Sequence, residues 1–166
     1  SCGQQPAQER GPRPVKLAEV ASLNKIEKSY SGVVSPDQFS DLAFKMSGPL
    51  VAMNVLEGQR VKKGEVVAEI DPTDYKLDYD AKRASFQKAS SQMQRAEKLL
   101  MKNAISMQEF ETTQASYTNA KSAFENAQNT LNDTKLRAPF DGFIQKKYVE
   151  NYQRVQPGQG VVCLIN

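Results

Sequence analysis

The side chains best suited to nucleophilic or soft-metal chemistry are two cysteines, Cys2 and Cys163, and no histidine accompanies them. They stand at opposite ends of 166 residues, form no C-x-x-C pair and have no metal-ligand spacing. Without imidazole the chain lacks the commonest general base, metal ligand and triad member, which argues against hydrolytic or zinc chemistry. Five methionines (Met46, Met53, Met93, Met101, Met107) are too scattered to make a convincing soft-metal site. Cys163 lies in the apolar run Gly160-Val161-Val162-Cys163-Leu164-Ile165 and reads as a small buried hydrophobe. No residue is assigned to catalysis, to a cofactor or to a metal. The chemistry left is recognition, and the elements that would carry it are the next question.

The length fits one domain, or one and a half. Hydrophobic residues make up 39%, charged residues 25%, and mean hydropathy is −0.59, so apolar content is thin for a compact globule. Lys and Arg number 22 against 19 Asp and Glu, with neither sign gathered into a block. No basic stripe with interleaved aromatics points to nucleic acid. No run approaches the roughly 20 apolar residues of a membrane-spanning helix. Any membrane association must therefore come from an anchor.

Two segments read as strands joined by tight turns, and they resemble each other. One runs from Gly48 through Gln59-Arg60-Val61-Lys62-Lys63-Gly64 to Asp71; the other from Gly142 through Gln153-Arg154-Val155-Gln156-Pro157-Gly158 to Val162. Both carry Gln-Arg-Val-x-x-Gly, with Gly64 and Gly158 supplying the positive φ of a turn. Val51, Met53 and Val55 alternate as one half-buried strand. Neither half can bury a core alone, so the two are expected to pack face to face.

From Pro72 to about Lys135 the period becomes helical. Asp71-Pro72-Thr73-Asp74 is a start signal, with an Asp cap and Pro at the first helical position. Apolar or small residues recur at Tyr75, Tyr79, Phe86, Ala89, Met93, Ala96 and Leu100, with Lys82 the exception. They recur again at Phe110, Thr113, Tyr117, Ala120, Phe124, Ala127, Leu131 and Thr134. Steps of four and three predict a narrow seam with left-handed supercoiling. Ser106-Met107-Gln108-Glu109 is a capping box that restarts the helix, with Ile105 and Phe110 as a staple. The expected middle is an antiparallel hairpin with arms roughly 40 Å long. Such a hairpin has a seam in place of a core, is marginal alone, and should pack against copies or a partner. Function is then sought on a surface.

Split β half-repeats interrupted by a helical hairpin resemble the periplasmic adaptor, or membrane fusion protein, family of tripartite efflux pumps. Glu57 to Gly64, Ile70-Asp71-Pro72, Leu136 to Gly142 and the hairpin tip carry the resemblance, which covers the chain from about Val15. It implies an α+β fold: a split lipoyl-like, barrel-sandwich hybrid β domain interrupted by a long antiparallel coiled-coil hairpin. Residues 1–14 would be a tether, 15–37 first strands of membrane-proximal or β-barrel domains, 38–71 with 136–166 the lipoyl-like domain, and 72–135 the hairpin. Family members dock on a TolC-like outer-membrane channel through R-x3-L-x6-S at the tip, which Arg95, Leu99 and Ser106 match. Each also has a plainer explanation: Ser106 as a helix cap, Leu99 as seam packing, Arg95 as one solvated charge. Tyr152 departs from a Gly common in the family, so its turn is expected to differ in shape.

Ser1-Cys2-Gly3 resembles the end of a bacterial lipoprotein signal, after which the Cys is acylated. A tether rich in Pro and Gln follows it, from Gly3 to Pro14. Several acyl chains, at about 0.8 kcal/mol per buried methylene, would hold a soluble body on a membrane. The competing explanation is an N-terminal Cys left by trimming. The resemblance then implies a non-enzymatic drug-export subunit in the Gram-negative periplasm, anchored to the inner membrane. It would form a trimer or hexamer ring and join a resistance-nodulation-division transporter to the channel, with the chain expected to be a fragment. The alternatives are an adaptor of an ATP-driven exporter, a structural coiled coil, and a lipoyl or biotinyl carrier. Ala43-Phe44-Lys45-Met46 looks like a biotin-acceptor tetrad, but Lys45 precedes the first half-repeat and Leu131 occupies the acceptor's place.

Overall fold

The structure, a computed structural model, describes residues 38–166. Cys2, the tether and the strands expected within 15–37 lie outside the described residues. Four strands precede two helices and four follow them. The first set is β1 (Phe39–Ala43), β2 (Gly48–Met53), β3 (Arg60–Val61) and β4 (Val66–Ile70). The helices are α1 (Thr73–Met101) and α2 (Met107–Asn132), and the second set is β5 (Lys135–Arg137), β6 (Gly142–Lys147), β7 (Arg154–Val155) and β8 (Gly160–Ile165). They form two antiparallel four-stranded sheets, ordered β1-β8-β6-β3 and β5-β4-β2-β7. Each sheet therefore draws two strands from either side of the helices.

A displacement of 94 residues turns one half into the other, as from Gly58 to Tyr152 or Gly64 to Gly158. Hydrogen bonds repeat with it. Gly58 donates to the Ile144 carbonyl and Tyr152 to that of Leu50, both at 2.7 Å. Gln59 and Gln153 each reach back with a side-chain oxygen to a backbone N–H three residues earlier. The inward residues also correspond: Leu50 with Ile144, Val61 with Val155, Val67 with Val161 and Ile70 with Leu164, all buried in one core. The expectation that each half makes its own small sheet is corrected: the halves exchange strands, and the shared core holds inward residues of both.

Two local expectations are corrected. Leu50 is the fully buried residue of β2 while Val51 is 41% exposed, because the register with β4 shifts between Leu50 and Ala52. The turn at Tyr152 is not shaped differently, since Tyr152 adopts φ +73 where Gly58 has φ +87.

Every residue expected on the helical seam is buried or half-buried, and Lys82, the exception, is half-buried with Nζ 2.9 Å from Asp78 Oδ1. The helices run antiparallel: the Tyr79 ring lies 5.4 Å from Phe124, and Phe86 lies 5.7 Å from Tyr117. At the root, Asp71 accepts from the N–H (3.0 Å) and hydroxyl (2.7 Å) of Thr73. Those two bonds hold its carboxyl below the ordinary value. Asp71 thus bonds the first helical residue, Thr73, while Pro72 takes the cap position itself, one residue before the first helical position expected of it. Helix α2 ends at Asn132, short of Lys135. There the Thr134 hydroxyl donates to the Leu131 carbonyl (2.7 Å), and the Thr134 carbonyl accepts from Ile70 N–H (3.0 Å), turning the chain into β5. Tyr75 pins α1 to the sheet by donating its hydroxyl to the Ser47 carbonyl at 2.6 Å.

Candidate functional site

The tip of the helix pair is built by two complementary caps. Helix α1 stops because Asn103 turns left-handed, at φ +57, after Lys102. Asn103 N–H then donates to the Leu100 carbonyl (2.9 Å) and Ala104 N–H to that of Leu99 (2.8 Å), the paired bonds of a Schellman motif. The stop falls in Lys102-Asn103-Ala104-Ile105, the break expected between the two helical runs, and Asn103 supplies its cap, a residue that at times replaces Gly at that position. Helix α2 starts as expected: Ser106 Oγ accepts from Glu109 N–H at 3.0 Å. Five residues, 102–106, separate the helices, so the tip is narrow and fixed by backbone bonds.

Arg95 and Leu99 lie one turn apart on α1 and line a shared groove of about 330 Å³ with Ile105, Glu109, Thr112 and Ser116 of the facing side. Leu99 is 41% exposed, so it does not serve as seam packing; Leu100 takes that role. Arg95 makes no ion pair or hydrogen bond among the described residues, which leaves its planar fork available. Ser106 is not in the groove, and its oxygen is occupied by the cap. Two of the three expected residues are therefore brought together, and the third positions α2. Met101, 84% exposed, and the exposed Met107 flank the turn and extend the apolar surface; their place at a helix end was the only signal available in the sequence.

With this geometry in view, comparison with known proteins decides the family. The family described as RND MFP, barrel-sandwich hybrid domain, matches residues 39–165. The chain belongs to this family of RND membrane fusion proteins. Multidrug resistance protein MexA of Pseudomonas aeruginosa is 27% identical over 164 residues, covering 95% of this chain and 42% of MexA. Multidrug resistance protein MdtA of Escherichia fergusonii is 27% identical over 177 residues, covering 93% and 43%. The fusion protein chain thus spans about two fifths of the length of these curated relatives. A putative efflux transporter from Bacteroides eggerthii has a TM-score of 0.77 and 49% identity, covering 80% of this chain and 41% of that one. A MacA-MexA chimeric protein containing the P. aeruginosa MexA α-hairpin domain has a TM-score of 0.74 and 32% identity, covering 78% and 48%.

Elsewhere in the fusion protein, the remaining candidates fall apart spatially. Lys45 is exposed, 3.7 Å from Asp133 at the foot of α2, and Leu131 is half-buried in the last turn of that helix. Cys163 is buried and donates towards Gln145 Oε1 at 3.2 Å; burial, then the Asp41 carboxylate, push its thiol up. Tyr148 donates to Asp41 Oδ1 at 3.0 Å, and that bond pushes its phenol up to about 12. No helix among the described residues is long and apolar enough to cross a membrane.

Proposed function

We propose that this fusion protein is the periplasmic adaptor of a tripartite efflux pump, linking an inner-membrane RND transporter to a TolC-like outer-membrane channel. Its helix pair acts as a coiled-coil hairpin, assembled with copies of itself into a trimer or hexamer ring. Acylated Cys2 tethers each copy to the inner membrane, and no residue performs bond chemistry. The observation that carries the reading is the tip, where Leu99 is exposed and Arg95 is unengaged on one groove. An apolar knob beside a free guanidinium can seat against a channel's helix ends while the fork binds carbonyl or carboxylate oxygens. Ser106 contributes through α2, whose first turn it holds.

The test places Arg95→Asp or Leu99→Asp in the full-length protein. Efflux and cross-linking to the channel should be lost while the far-ultraviolet helical signal stays the same. Unchanged efflux in both variants would refute the docking role of the tip.

A further inference from the structure

At the root of the helix pair, on the side of β5, lies a cleft of about 680 Å³ between Pro72 and Lys76 of the α1 start, Leu131 and Asn132 of the α2 end, and Lys135 and Arg137 of β5. Its size is within the range of small-molecule sites, roughly 300–1,000 Å³. Charge sets it apart from the other clefts described. The tip groove is lined by Glu109 as well as Arg95, the cleft by Tyr75 has Asp71 and Asp74 beside Arg154, and the cleft by Lys45, which shares Lys135 and Arg137 with the root, contains Asp133. The root cleft has three cationic side chains in its wall and no carboxylate.

The three cations differ in what already holds them. Lys76 is bound to Asp80 at 2.7 Å. Arg137 donates one Nη1 hydrogen to the Gly64 carbonyl at 2.9 Å, which fixes the guanidinium plane and leaves other donors to spare. Lys135 stands opposite Glu69 in the ladder but makes no ion pair among the described residues. Between these heads the wall is mixed: Leu131 and Pro72 are apolar, lysine stems carry methylenes, and the polar Asn132 and Thr134 complete it, the Thr134 hydroxyl being already committed to the Leu131 carbonyl. A free inorganic anion would satisfy the cations and leave that wall wet. A neutral apolar molecule would do the reverse.

We infer that the root cleft binds an amphipathic anion, with a carboxylate or sulfonate head on Lys135 and Arg137 and an apolar body against Leu131 and Pro72. This site is separate from the tip and does not depend on the docking role proposed for it. The test uses the full chain and two probes, anilinonaphthalene sulfonate followed by fluorescence and deoxycholate followed by calorimetry. Each should bind one saturable site. Lys135→Glu should weaken binding by roughly tenfold or more, the loss expected of one charge-assisted contact. Arg154→Glu, in the oppositely composed cleft, should leave affinity unchanged. Raising salt should weaken binding, and amide shift changes should centre on Leu131, Thr134 and Lys135. Absence of saturable binding, equal affinity in Lys135→Glu, or shift changes confined to another part of the chain would overturn the assignment. Circular dichroism of both variants establishes that a lost signal is not lost fold.

Discussion

Replacing Tyr152 with glycine should make the protein more stable. Tyr152 holds φ +73 in the turn where its counterpart Gly58 holds φ +87. For an L-residue the left-handed region costs about 1–2 kcal/mol through the crowding of Cβ. The ring is 83% exposed, so its removal forfeits little buried area. Against the relief stands the greater freedom of glycine in the unfolded chain, about 0.5–1 kcal/mol. The net expectation for Tyr152→Gly is a gain of about 0.5–1 kcal/mol, a rise of roughly 1–4 °C in the melting midpoint. The mirror experiment is Gly58→Ala, a position whose Cβ would meet nothing within 4 Å. Strain outweighs the entropic benefit there, for a loss of about 0.5–1 kcal/mol. Thermal melts and urea titrations on both variants measure the pair. A Tyr152→Gly protein no more stable than the parent would refute the reasoning, because the ring would then have to provide contacts that offset the strain.

Other outcomes follow from single side chains. A Cβ at Gly142 would land on the Ile165 carbonyl oxygen of the paired strand, whereas at Gly48 the nearest atom is Ile70 Cδ1 at 3.4 Å. Gly142→Ala should therefore cost about 2–3 kcal/mol in urea unfolding, and Gly48→Ala much less. Tyr148 should ionise near 12 by ultraviolet titration, above the ordinary tyrosine value. Its folded value is raised, so its contribution to stability is complete below the ordinary tyrosine value and disappears as pH climbs from about 10 towards 12. Tyr148→Phe should abolish that alkaline decline.

Legibility in the sequence tracked how local each cause is. The seam from Tyr75 to Leu131 and the Ser106 cap depend on neighbours three or four residues away, so the spacing alone displays them. The half-repeat was visible through Gln-Arg-Val-x-x-Gly because both turns need the same backbone shape. Val51 was placed inward because alternation assumes an uninterrupted ladder, and the shift beside Leu50 arises from the partner strand. The spacing extends α2 too far since Thr134 suits a seam and a terminus equally; its bond from Ile70, a residue beyond the whole helix pair, decides the matter. At the tip, Arg95 and Leu99 are legible through family spacing, while only their place at a helix end marks Met101 and Met107 as exposed. The root cleft could not be anticipated, because Lys76 and Lys135 are brought together only by the closure of the two helices.

The exchange of strands between the halves has a kinetic consequence. Every sheet contains strands from before and after the helices, so although β2 can pair with β4 and β6 with β8 within a half, neither half can complete a sheet until the other has emerged and returned. An unstructured connection would impose a large search on that pairing. The helices form from short-range contacts, fast by comparison with long-range strand pairing, and their antiparallel zippering carries Ile70 to within a hydrogen bond of Thr134. The arm that reaches outward in the finished molecule is thus also the splint on which the β domain is assembled. Helix-breaking changes midway along the helices should slow refolding of sheets they never touch.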